Sequence, residues 1–263
     1  MKKQNFLAFV LLLILALPFA SCKKEEKNPP ALPPQSGFIM DNSDFQDGKK
    51  SGELFIGNWG WAALNVAVWN TILTVNLAVP VASFKEAMEH TPVYNNDTQS
   101  WVWSYTVQVG NVTYFAELHG KYVSEGVRWD MYISKEGSYT DFLWYYGVSN
   151  SAGNEGYWML KNSPELNQDY IKITWHKTSD QVADIKYENV LEGTAEKGTY
   201  IVQKIYVADD FDASYDIYTA TNSNLTEIKW HRTNENGRVK DAAHFGDAVW
   251  HCWDANHIDT MCP

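Results

Sequence analysis

From Leu54 to Phe84 the chain carries no charged side chain, and from Trp61 onward it reads WAALNVAVWNTILTVNLAV. A run this long and apolar must be buried on most sides, in a core or in a bilayer, since about 20 apolar residues suffice to span one. Projected at about 100° per residue, Leu64, Val68, Ile72, Val75 and Val79 gather in one sector, while Ala63, Ala67, Asn70, Thr74 and Ala78 gather opposite. One face is greasy and the other small and mildly polar. Asn65, Asn70 and Asn76 would each be costly in lipid, no Lys or Arg flanks the N-terminal end, and Pro80 stands where the pattern turns to the polar FKEAMEH. These features favour a core helix near residues 61–89 over a membrane span. Val66, Val68, Val75 and Val79 leave strand as the alternative for part of the run.

The rest of the chain alternates. Trp101, Trp103, Tyr105, Val107 and Val109 fall on one face with Ser104, Thr106 and Gln108 on the other, and Gly110-Asn111 turns the chain into Val112, Tyr114, Ala116 and Leu118. Further strands are expected at Gly126–Ser134, Thr140–Val148, Gly156–Lys161, Tyr170–Lys177, Val182–Leu191, Thr199–Ala208, Ala213–Ala220, Leu225–Arg232 and Arg238–His244. Their connections are short, so neighbours pair antiparallel. The expected fold is mainly β: a curved antiparallel meander of about ten strands, half-barrel or barrel-like, packed on one N-terminal apolar helix. Ile173-Thr174-Trp175-His176-Lys177-Thr178 returns as Ile228-Lys229-Trp230-His231-Arg232-Thr233, which reads as one strand role used twice.

The N-terminus is organised differently. Lys2 and Lys3 precede an apolar run from Phe6 to Leu17 and small residues directly before Cys22, the layout of a cleaved export signal over residues 1–21. Phe19-Ala20-Ser21-Cys22 resembles the lipobox of bacterial lipoproteins, although Phe19 departs from the usual Leu. The resemblance implies that Cys22 becomes the lipidated N-terminus, tying the protein to a membrane. Residues 22–36, with KKEEKNPPALPPQSG after the cysteine, read as a proline-rich, charged tether, and 37–263 as a single β-rich domain. Lys24-Glu25-Glu26 is similar to the short signal that routes some gram-negative lipoproteins to the cell surface; a solvated linker is the plainer reading. The address is therefore the outer membrane, on its periplasmic face or at the cell surface. Without Lys2 and Lys3 the formal charge moves from −11 to −13, which argues against nucleic acid or anionic headgroups as partners.

Chemistry is sparsely signalled. Cys252 and Cys262, the cysteines remaining once Cys22 is lipidated, read as a disulfide pinning the chain end; free thiols or a Cys/His site with His257 are the alternatives. In Trp175-His176, Trp230-His231 and Trp250-His251, Trp is expected in the core and His hydrogen-bonded at the rim. Asp209, Asp210, Asp212 and Asp216 open like a calcium loop, but Tyr215 and Thr221 stand where Gly and Glu belong, so a solvated turn is expected. Neither a metal nor a cofactor is called for. No GxSxG, HExxH, P-loop or dinucleotide fingerprint occurs. Glu117, Glu125, Asp130 and Glu136 are the carboxylates a hydrolase reading would use.

What stands out is 12 Trp and 15 Tyr. Most suit a half-buried pleated face, but one helix need not fill the hollow of such a sheet. The favoured reading is a lipid-anchored, non-enzymatic exported binding protein whose aromatic-lined cavity takes a small apolar ligand, with Trp69, Trp101, Trp103, Tyr105 and Tyr114 as candidate lining. The layout resembles that of periplasmic lipoprotein carriers. The alternative is a surface glycan-binding or adhesion module in which Trp144, Tyr145, Tyr146, Tyr157 and Trp158 stack on sugar rings.

Overall fold

The computed structural model describes residues 28–45, 57–179 and 182–263. The expected signal peptide, Cys22 and the start of the expected tether lie outside them. The strands are β1 (Val93–Asn95), β2 (Ser100–Val109), β3 (Val112–Val123), β4 (Gly126–Lys135), β5 (Tyr139–Ser149), β6 (Glu155–Lys161), β7 (Asp169–Ser179), β8 (Val182–Asn189), β9 (Tyr200–Ile205), β10 (Ala213–Thr219), β11 (Asn224–Trp230), β12 (Gly237–Lys240), β13 (His251–Trp253) and β14 (Asp259–Thr260). Each pairs antiparallel with the next, in sequence order, in one 14-stranded sheet. The sheet is open: β1 and β14 are its edges, so the half-barrel form of the expectation holds and closure does not occur.

Alternation sets the two faces. Trp103, Leu118, Met131, Tyr145, Leu160 and Ile171 stand opposite one another across successive strands, and all are buried. Such cross-strand rows are the unit of sheet stabilisation. The sequence echo has a structural counterpart: Ile173 and Trp175 on β7, and Ile228 and Trp230 on β11, all point inward. The last expected strand is shorter than read. β12 stops at Lys240 because Asp241 caps a short helix, α2 (Ala242–Phe245), accepting from the Ala243 and His244 amides.

The long helix, α1, runs from Gly57 to Ala87 along the inner face of the sheet. It begins before the expected residue 61 and passes through Pro80. An internal proline costs about 3 kcal/mol; here the ring is buried, and the turn after it carries Ser83, Phe84 and Ala87 into the core. The Tyr105 hydroxyl donates to the Ser83 carbonyl at 2.6 Å. The first turn is held from the other end of the chain. The Asp259 carboxylate accepts the Asn58 amide at 2.7 Å, and the Asn58 side chain donates to the Cys252 carbonyl at 2.8 Å. Gly57 has φ +79°, and a Cβ there would meet the Asp259 carboxylate at 2.6 Å.

The orientation of α1 differs from a helix buried all round. Its small residues Ala62 and Ala63, with Val66, Leu73, Leu77 and Phe84, face the sheet. Leu64, Val68, Ile72 and Val75, four of the five in the greasy sector, are exposed; only 28% of its most apolar stretch is buried. By length and composition α1 is also sufficient to cross a membrane.

Residues 30–45, before α1, occupy much of the remaining volume inside the sheet. Pro30 and Pro33, inside the expected tether, are buried: Pro30 approaches Gly120, between Trp103 and Trp129, and Pro33 lies against Gly153. Phe38, 1% exposed, stacks on Trp158 at 4.6 Å and touches Phe84 at 4.8 Å and Tyr145 at 5.2 Å. Farther on, Asp44 accepts from the Trp230 indole, and Phe45 meets that ring edge-on. Residues 30–45 thus form a strap crossing the sheet from β3 to β11. The strap has only two single 3-10 turns, Gln35–Gly37 and Ser43–Phe45, so the carbonyls between them accept from inner-face side chains. Tyr187 donates to Phe38 at 2.8 Å, Tyr215 to Asp41 at 2.9 Å, and Gln203 also reaches the Asp41 carbonyl.

Candidate functional site

Strap and helix run side by side without sealing together, and a groove of about 330 Å³ opens between them. From the strap it is lined by Phe38, Ile39, Met40 and Asn42, from α1 by Asn70, Leu73, Thr74, Leu77, Ala78, Val81, Ala82 and Lys85, and from β8 by Tyr187. The α1 positions recur every three or four residues, so they form a single stripe. From Asn70 to Lys85 that stripe is about 22 Å long at the helical rise. The volume lies in the range of small-molecule sites, and aliphatic side chains dominate the walls.

Its polar groups sit apart. Lys85, the basic residue of the last turn of α1, stands at one end, and Asn42 and Asn70 lie toward the other. Tyr187 is fixed by its bond to Phe38, and burial pushes its phenol well above the ordinary range, so it stays neutral at any physiological pH. Among the described residues the lining holds no carboxylate, histidine or cysteine to act as general base or nucleophile. Chemically, the groove can accommodate a chain and place one negative or polar end near an ammonium.

The expected pocket residues lie elsewhere. Trp103 and Tyr105 are core residues, the former 5.9 Å from Trp129. Trp69, Trp101 and Tyr114 are half-buried against the core, with Trp101 edge-on to Tyr94. None lines the groove. The five aromatics of the glycan reading divide between faces. Tyr145 and Trp158 are fully buried, while Tyr146 and Tyr157 lie on the outer face. Arg128 covers the Tyr146 ring at 4.6 Å, and the Tyr146 hydroxyl donates to Asp169 at 2.9 Å. Trp144, half-buried, packs against Tyr139 and Phe142. These five do not present one stacking surface.

The other constellations are occupied. The sulfurs of Cys252 and Cys262 are 2.08 Å apart, a disulfide joining β13 to the chain end. Trp175 and Trp230 are buried; His176 pairs with Asp184, and His231 accepts the Thr233 and Asn234 amides. Trp250 instead lies among Arg238, Lys240 and Lys229, the nearest at 4.4 Å. Asp212 pairs with Arg232 and Asp216 with Lys204. Glu117 accepts from Ser104, and Asp130 pairs with Arg128. Among the described residues no three His, Cys, Asp or Glu side chains are arranged to hold a metal. A smaller recess of about 140 Å³ lies between Trp59, Asp44, Arg232, Glu235 and His257. There Asp44 is raised above the usual carboxylate range by burial, and His257 stacks on Trp59 at 4.2 Å.

Comparison with protein-family models, with curated proteins and with solved structures finds no match. The groove residues were not evident from sequence because they come from three segments. A signal was present in Phe38-Ile39-Met40, an apolar triplet directly after the proline-rich run.

Proposed function

We propose that the protein is a lipid-anchored, exported binding protein without catalytic activity, and that it holds an apolar-chain ligand in the groove between strap and α1. One observation carries this reading: an aliphatic channel about 22 Å long by the helical rise, about 330 Å³ in volume, with a lysine at one end and, among the described residues, no carboxylate, histidine or cysteine in its lining. An amphiphile with one acidic or polar end fits that lining, its chain along Leu73, Leu77 and Val81 and its head near Lys85. Anchoring through the lipobox-like segment would keep such a ligand's source, a membrane, beside the domain. This is an aliphatic site, not the aromatic-lined cavity expected from composition.

The test is titration with a fluorescent long-chain fatty acid analogue, using wild type and Ala78→Trp. Ala78 is exposed and lines the groove, so the indole fills the channel without entering the core. Wild type is expected to bind saturably, and Ala78→Trp to weaken binding at least tenfold with an unchanged thermal midpoint. Equal binding by both would sink the proposal.

A further inference from the structure

Among the described residues the outer side of α1 is an unpartnered apolar ridge. Leu64, Val68, Ile72 and Val75 are exposed by 37%, 50%, 38% and 73%, and the helix carries no charge before Lys85. Their spacing puts them on one stripe, next to the groove stripe that includes Thr74 and Ala78. A contiguous apolar ridge beside an apolar groove is the surface signature of an interaction site.

We infer that this ridge rests on the surface of a zwitterionic bilayer, with α1 lying in the interface and the groove mouth open toward the lipid. Three observations select the bilayer. The helix lies on the membrane and does not cross it, because its other side is committed to the sheet through Ala63, Val66, Leu73 and Phe84. A second copy is disfavoured by size. The exposed ridge is four side chains, against the roughly 20–30 residues a side that a stable interface uses. Reach is the third: the buried Pro30 is only eight positions after Cys22, at most about 28 Å of extended chain. A lipid on Cys22 would therefore hold the domain within contact distance, and in this respect the inference rests on the proposed anchoring. The headgroups must be neutral overall, since the chain without Lys2 and Lys3 carries a net charge of −13 and the ridge offers no cation to an anionic surface.

The test removes the anchor, so that the ridge alone is read. Residues 23–263 are floated with phosphatidylcholine vesicles as wild type, as Val68→Asp/Val75→Asp, and as Val207→Asp, a valine 75% exposed but off the helix. Flotation of wild type and Val207→Asp, with at least a tenfold loss for the double variant, is the expected result. No flotation of wild type, or equal flotation of all three, overturns the inference. So does a wild-type dimer that the double variant breaks without any vesicle binding, which would assign the ridge to a second copy. Fatty acid uptake is measured in parallel. If it survives loss of vesicle binding, only the ridge has failed; if it is absent while vesicles bind, only the groove has.

Discussion

Among single residues, Asp241 carries the heaviest structural load. It is 2% exposed and stands where α1, α2 and the C-terminal strands meet. Its carboxylate accepts from Thr226 at 2.7 Å, Asn224 at 2.9 Å and the Trp61 indole at 3.1 Å, besides capping α2. Burial alone would raise its pKa; the hydrogen bonds outweigh burial and hold it below the ordinary carboxylate value. A depressed folded-state pKa means stability that is present above the unfolded-state value of about 3.9 and is lost as pH falls through the folded one. Asp44, raised by burial, titrates with the opposite sign and softens that loss. Asp241→Ala is expected to cost about 3 kcal/mol, a cap plus buried bonds to a charged acceptor. Asp241→Asn should cost less and flatten the acid limb of stability below about pH 4. Urea unfolding at pH 3 and pH 7 measures both; an unchanged acid limb in Asp241→Asn would show that other carboxylates govern it.

At the level of elements, the two ends of the domain close on each other. α1 begins on Asp259 and the Cys252 carbonyl, and the disulfide to Cys262 holds the short β13–β14 hairpin that presents them. Asp259→Ala should therefore loosen the first turn of α1 by about 1 kcal/mol, the usual worth of a cap. Amide exchange is expected to accelerate roughly fivefold at Trp59–Trp61 and to stay unchanged in β3–β7. Uniform acceleration would mean that the contact acts on global stability and not on the helix end. Strands with sustained alternation, such as β2 and β3, were legible in sequence because a period of two kept up over a whole strand fits a pleated ribbon and no helix. β1, β13 and β14, at three, three and two residues, are too short to show a period and exist because a neighbouring strand offers an edge. The faces of α1 could be read, but not which would meet the sheet. Neither sector took that side: the sheet meets a stripe between them, Ala62, Val66, Leu73, Leu77 and Phe84, while Thr74 and Ala78 of the small sector line the groove.

On the scale of the molecule, helix and strap together cover the inner face of the open sheet and leave the groove between them, and the parts were visible in the sequence to different degrees. The aromatic strands announced a curved β scaffold, and the uncharged run announced its helix. The strap was hidden, because prolines that fix an extended tether equally fix an extended inner layer, and only tertiary contacts such as Phe38 against Trp158 distinguish the two. For the same reason the site escaped detection: Met40 and Leu77 are 37 positions apart and share a wall only once strap and helix lie side by side. Whether this wall encloses an apolar-chain ligand is read directly by native mass spectrometry of residues 23–263, secreted into an oxidising compartment. The expected result is a lipid-sized adduct that leaves on solvent extraction and is missing from Ala78→Trp. A clean unliganded mass for wild type, unchanged after incubation with a membrane lipid extract, would contradict the proposed function.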